Sequence, residues 1–134
     1  MFENSQYSLS RRVKGSFAEV VEATRAGLAT EGFGVLTEID VKATLAKKLD
    51  VTTRPYVILG ACNPGLAHRA LQLDPAIGTL LPCNVVVAED ESGNVEVATI
   101  DPKAMFSVVN RADVAPIVDD VRERLTRVLD GLVR

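Results

Sequence analysis

Two short apolar runs, Tyr56-Val57-Ile58-Leu59 and Val85-Val86-Val87-Ala88, constrain this chain more than any other feature. Neither alternates apolar with polar residues, which is the pattern of strands covered on both faces. Between them, Asn63 and Pro64 form a cap-then-proline start, and Leu66, Ala67, Ala70, Leu71 and Leu73 follow at helical spacing. Asp74-Pro75 repeats the signal and opens a brief turn, Ala76-Ile77-Gly78. One helix and one turn are enough to leave a sheet and return to the same end of it. The stretch from Pro55 to Glu89 also holds both cysteines, each followed by an asparagine, and the single histidine, His68. A functional site is expected here.

The flanking segments supply the rest of a fold. Residues 7–13 read weakly as a strand with mixed faces. Ser16-Phe17-Ala18-Glu19 is a capping-box pattern, and Phe17, Val20, Val21, Thr24 and Leu28 recur at helical spacing up to a stop at Gly32. This predicts a helix from about Phe17 to Glu31. A second strand over 33–39 leads into Asp40, the cap of a short helix through Val41, Leu45 and Leu49. Its Lys42, Lys47 and Lys48 face outward and read as a solvated surface rather than an anion site.

Strands over 55–61, 83–89 and 95–100 follow, the last two joined by the turn Asp90-Glu91-Ser92-Gly93-Asn94. Asp101-Pro102 opens a helix expected to run through Ala104, Met105, Val108 and Val109. The final helix carries Ile117, Val118, Val121, Leu125, Val128, Leu129 and Leu132 on one side and charges on the other. The economical assembly is a single α+β domain over 1–134, with its core at about 7–132. It has a mainly antiparallel five-stranded sheet and the two long helices, first and last, packed on one face.

Several functions are disfavoured by what is missing. The net charge is −3, with Lys and Arg scattered along 134 residues, so no basic face invites nucleic acid and no polybasic segment invites a membrane surface. No apolar run approaches a membrane span. Met1 to Gln6 lacks the pattern of a secretory signal. The expected address is the cytoplasm, where Cys62 and Cys83 stay reduced.

The cysteines are the candidate catalytic residues. If the third and fourth strands are antiparallel neighbours, Cys62 leaves one where Cys83 enters the other, and their α-carbons could fall within the roughly 7 Å that a bridge requires. Cys62 also precedes a helix N-terminus, which favours a thiolate. That makes Cys62 the nucleophile and Cys83 its resolving partner if the pair works. The competing reading is a pair of small buried apolar side chains, and the C-x-x-C spacing of redox motifs is absent.

A ligand pocket would be lined by Cys62, Asn63, Pro64, Pro82, Cys83 and Asn84. Cys62, His68 and Cys83 are the only conceivable metal ligands, too few for a closed zinc site. His68 moreover falls on the polar side of its helix. No metal is therefore expected, and no cofactor is assigned. Three readings follow: a binding or regulatory module for a small molecule; a thiol-dependent redox enzyme or sensor; or a structural dimerisation domain, the lack of an acid/base constellation favouring the first and third.

In this order, Cys62-Asn63-Pro64 after the third strand, Leu81-Pro82 before the fourth, a valine-rich fourth strand entering an acidic hairpin, and a capped first helix followed by Gly32-Phe33-Gly34 resemble the domain of unknown function 302 family. The similarity covers about Tyr7 to Leu132. It implies a small β-α-β(4)-α domain, often dimeric, with no assigned activity. A homodimer is accordingly expected, and a small β-rich domain also has edge strands to cover.

Overall fold

The computed structural model describes residues 1–3 and 5–133. Its strands are β1 (Ser8–Val13), β2 (Gly34–Asp40), β3 (Tyr56–Cys62), β4 (Cys83–Glu89) and β5 (Val95–Ile100). The helices are α1 (Phe17–Thr30), α2 (Val41–Leu49), α3 (Pro64–Leu73), α4 (Pro102–Phe106) and α5 (Ala115–Leu132). The strands form one sheet in the order β1-β5-β4-β3-β2, and every neighbouring pair is antiparallel. The α+β architecture expected from the sequence is the observed one.

Local chemistry explains where the helices begin. Ser16 accepts a hydrogen bond from the Glu19 N–H while the Glu19 carboxylate accepts one from the Ser16 N–H, a complete capping box on α1. Asp40 caps α2 through the Ala43 N–H, and Asn63 caps α3 through the Leu66 N–H. Asp101 does the same for α4, with Pro102 in its first turn.

The register sorts the strand residues onto two faces. Ala61 lies opposite Cys83, Leu59 opposite Val85 and Val57 opposite Val87. Val85 and Val87 in turn oppose Thr99 and Val97. These rows meet Val20, Val21 and Leu28 of α1 and Ile117, Val121, Leu125 and Leu129 of α5 in one core. The two long helices pack on each other and on this same face. Arg11, in the helix-side row of β1 opposite Val97, reaches Asp130 of α5 at 2.9 Å. Such a partly exposed pair contributes at most about 1 kcal/mol.

The opposite face carries Ser8, Ser10 and Arg12 of β1, Glu96, Ala98 and Ile100 of β5, Asn84, Val86 and Ala88 of β4, and Tyr56, Ile58 and Gly60 of β3. The long helices do not cover it. The unbroken apolar runs suggested strands buried on both sides, and here the structure corrects the reading. One side is sealed by the two long helices, whereas the other is sheltered only in part, by the N-terminal residues, by Leu80 and Met105, and beside Tyr56 and Ala88 by Val41 and Leu45 of α2. The Phe2 N–H donates to Glu96 Oε1 at 3.3 Å, and the Met1 amine sits 3.2 Å from Glu96 Oε2. Glu96 is left 4% exposed beneath them.

A second correction concerns α4. It ends at Phe106 instead of continuing through Val108 and Val109. A turn closed by the Val109 N–H on the Phe106 carbonyl, then Asn110 in the left-handed conformation at φ 52°, redirect the chain toward α5. Val109 still packs against the core, but Val108 is 74% exposed. Apolar spacing alone did not distinguish a second helical turn from a reversal. The turn after Asp74 is also longer than three residues, a 3-10 helix over Pro75–Leu80.

Candidate ligand cavity and the cysteine pair

The β3–α3 junction holds the first group of candidate residues. Asn63 is fully engaged in structure. Its carboxamide oxygen accepts from the Leu66 N–H at 3.2 Å, and its nitrogen donates to the Glu31 carbonyl at 3.4 Å. Arg124 Nη1 donates to that same carbonyl at 2.9 Å. One asparagine thus ties the end of α1 to the start of α3, with α5 bonded to the same atom. Pro64 fills the first turn of α3.

Cys83 opposes Ala61 in the β3–β4 register, so Cys62 lies one residue beyond its partner. Both are free thiols. Cys83 is buried in the core, and Cys62 is half-buried. They border a gap of about 30 Å³ with Phe33, Leu66, Leu81 and Ile117, room for about one water molecule. Burial pushes the Cys83 thiol up to about 11, and the nearby Cys62 adds to the shift. Burial raises the Cys62 thiol as well.

The helix N-terminus was expected to favour a thiolate at Cys62, and the surroundings do the reverse. The walls of the gap are apolar, and one of the α3 N–H groups is already taken by Asn63. Burial between such walls favours the neutral thiol. His68 is exposed on the outer side of α3. Among the described residues, no three or more His, Cys, Asp or Glu side chains converge as metal ligands, so Cys62, His68 and Cys83 do not form a set.

A larger hollow lies on the face that the two long helices leave open. It encloses about 490 Å³ between the sheet, the N-terminal residues and Leu80 and Met105, inside the range of ordinary small-molecule sites. Its floor includes Val86, Ala98 and Ile100, and its sides include Phe2, Tyr7, Tyr56 and Pro82. Ser5, Ser8 and Asn84 add polar atoms.

Pro82 is joined to Leu81 by a cis peptide bond, and its ring lies over Gly60. A Cβ on Gly60 would fall 2.9 Å from Pro82 Cγ and 2.2 Å from Thr37 Oγ1, so a glycine is required where ring and strand approach so closely.

The expected pocket residues are therefore divided by the sheet. Pro82 and Asn84 line the open hollow, Cys62, Asn63 and Cys83 line the small gap, and Pro64 lines neither. Successive side chains on a strand point to opposite faces, so Cys83 turns inward and Asn84 outward despite being neighbours. The sequence reading missed Tyr56, Val86, Ala98 and Met105. A signal for them did exist. Ser8, Ser10, Ala88 and Ala98 place small residues at alternate strand positions, which leaves low relief on one face.

A two-layer α+β domain with helices on one side of an antiparallel sheet and a ligand-sized hollow on the other is the class of protein that this geometry defines. The chain matches the family model described as Domain of unknown function DUF302 over residues 9–132, and it belongs to that family. The structure is similar to the crystal structure of the uncharacterized conserved protein DUF302 from Bacillus stearothermophilus. The two are 30% identical, with a TM-score of 0.89 and coverage of 96% of this chain and 99% of that one. No functionally curated protein matches the chain.

Proposed function

We propose that this domain is a small-molecule binding module whose site is the hollow on the sheet face that the two long helices leave open. The observation that carries the reading is a cavity of about 490 Å³ lined mostly by apolar side chains with a few polar ones among them. Half-buried Ser8 and Tyr56 and exposed Asn84 supply polar atoms to its lining. Concave, mostly apolar sites with a few orienting polar groups are the usual form of a ligand pocket.

The neutral fluorophore N-phenyl-1-naphthylamine is expected to bind saturably at one site per chain. Val86→Phe, which places a ring on the cavity floor without entering the helix-side core, is expected to abolish the signal at unchanged melting temperature. Equal binding by this variant would remove the site.

The thiol-redox reading draws less support, because burial disfavours both thiolates and catalysis requires one. Two free thiols one strand position apart fit a reducing cytoplasm, which we take as the working location. No helix is long and apolar enough to cross a membrane among the described residues.

A homodimer is the second reading, favoured by β2. This strand is a sheet edge with a bulge at Leu36, and Leu36 and Ile39 are large apolar side chains exposed on it. An uncovered apolar edge invites pairing. Sedimentation is expected to show a dimer at micromolar concentration and a monomer for Leu36→Lys. A wild-type monomer would reject this assembly.

A further inference from the structure

We infer that the ligand of the open hollow is an uncharged molecule with an apolar body and one or two hydrogen-bonding groups. This rests on the binding reading above and adds its chemistry. None of the described side chains lining the cavity is an Asp, Glu, Lys, Arg or His. The one formal charge at its wall, the Met1 amine, is already held by Glu3 and Glu96. A charged ligand group would leave water without a counter-charge to meet it, and an unpaired buried charge costs several-fold more than a hydrogen-bonded neutral group.

The polar groups that are present suit a neutral partner. Asn84 offers a carboxamide with both donor and acceptor, and Ser8 and Tyr56 offer hydroxyls that can act either way. All three lie on the rim or floor formed by the open sheet face. The apolar surface comes from Val86, Ile100 and Met105. A ligand that stacks its body there and turns a hydroxyl, carbonyl or amide toward Asn84 pairs with that carboxamide without importing charge. The contrast with the remaining surface is marked. Lysines, arginines and carboxylates make up 25% of the chain, yet the side chains around this hollow carry none.

The test uses three probes that share one skeleton and differ only in charge: 2-naphthalenemethanol, 2-naphthoate and 2-naphthylmethylammonium. Each is titrated against the full chain at neutral pH, with displacement of N-phenyl-1-naphthylamine as the readout. The alcohol is expected to bind at least about tenfold more tightly than either ion, reflecting the unpaired-charge penalty. If either ion binds as tightly as the alcohol, the neutral class is overturned while the cavity stands as a binding site. If neither the fluorophore nor any of the three probes binds, the binding reading itself fails and this inference falls with it. Val86→Phe serves as the blocked control, and residual binding of the alcohol to it would place the probe elsewhere and overturn the assignment.

Discussion

Leu125→Ala is expected to lower the stability of this domain by about 2–5 kcal/mol. Leu125 lies on the inner stripe of α5 and is fully buried, 0% exposed, in the core between the two long helices and the sheet. Truncation removes its transfer free energy and leaves a void that packed neighbours fill incompletely. Gly27 of α1 already lies so close to α5 that a Cβ there would meet Val128 Cγ1 at 3.3 Å, which limits how far the helices can close. The loss is a large share of the roughly 5–15 kcal/mol that a domain commands, and it corresponds to a fall in melting temperature of about 7–18 °C. Urea unfolding of both proteins checks it. A change below about 1 kcal/mol would mean that the α1–α5 layer relaxes freely, contrary to the packing described.

The second large effect is a loss of stability at alkaline pH through Cys83. Its thiol is raised from an ordinary value near 9 to about 11 in the folded protein. In the unfolded chain the thiol gives up its proton near pH 9, whereas in the folded chain it holds it. Between these values the unfolded state binds fewer protons, so stability is fully present below pH 9 and falls as pH rises toward 11. A shift of this size corresponds to about 2–3 kcal/mol.

Lysines and tyrosines titrate in the same range, so the measurement is a difference. Urea unfolding at intervals from pH 8 to 11 is compared for the wild type and Cys83→Ala, and the variant is expected to lose less stability across that window. Parallel curves would show that the Cys83 thiol ionises in the folded state without cost. Retention of the proton to pH 11 would also leave Cys83 without a thiolate to act as a resolving partner at neutral pH.

The proposed homodimer and the proposed neutral-ligand site are separable from both effects. Leu36 lies on the β2 edge, distant in the sheet order from β5 and Ala98. A monomeric Leu36→Lys variant can therefore still be titrated with the same probes. Binding that vanished with the dimer would move the site to the interface.

What the sequence determined by itself is the set of elements. Ser16 with Glu19, Asp40, Asn63 with Pro64, and Asp101 with Pro102 act on backbone groups two or three residues away, so their consequences are visible without a fold. The apolar periodicity of α1 and α5 is similarly local, and it left few ways to bury two stripes other than against one sheet face. The antiparallel β4–β5 hairpin followed from the Asp90–Asn94 turn, whose Asp90 carboxylate accepts from the Ser92 and Asn94 N–H groups.

Tertiary structure decided the rest. The order β1-β5-β4-β3-β2 places the first strand beside the last, a pairing across the whole length of the chain that no local pattern specifies. Only that order shows which face of β4 meets helices, and so why Cys83 and Asn84 serve different surroundings. The thiol values depend in the same way on the side chains that crowd the gap. Leu66, Ile117 and Val121 come from two helices far apart in sequence, and burial by such distant neighbours is invisible from the helix N-terminus that adjacency had made conspicuous. The open hollow, too, exists because the Met1–Glu3 segment returns to Glu96 across the sheet, a contact between residues more than ninety positions apart.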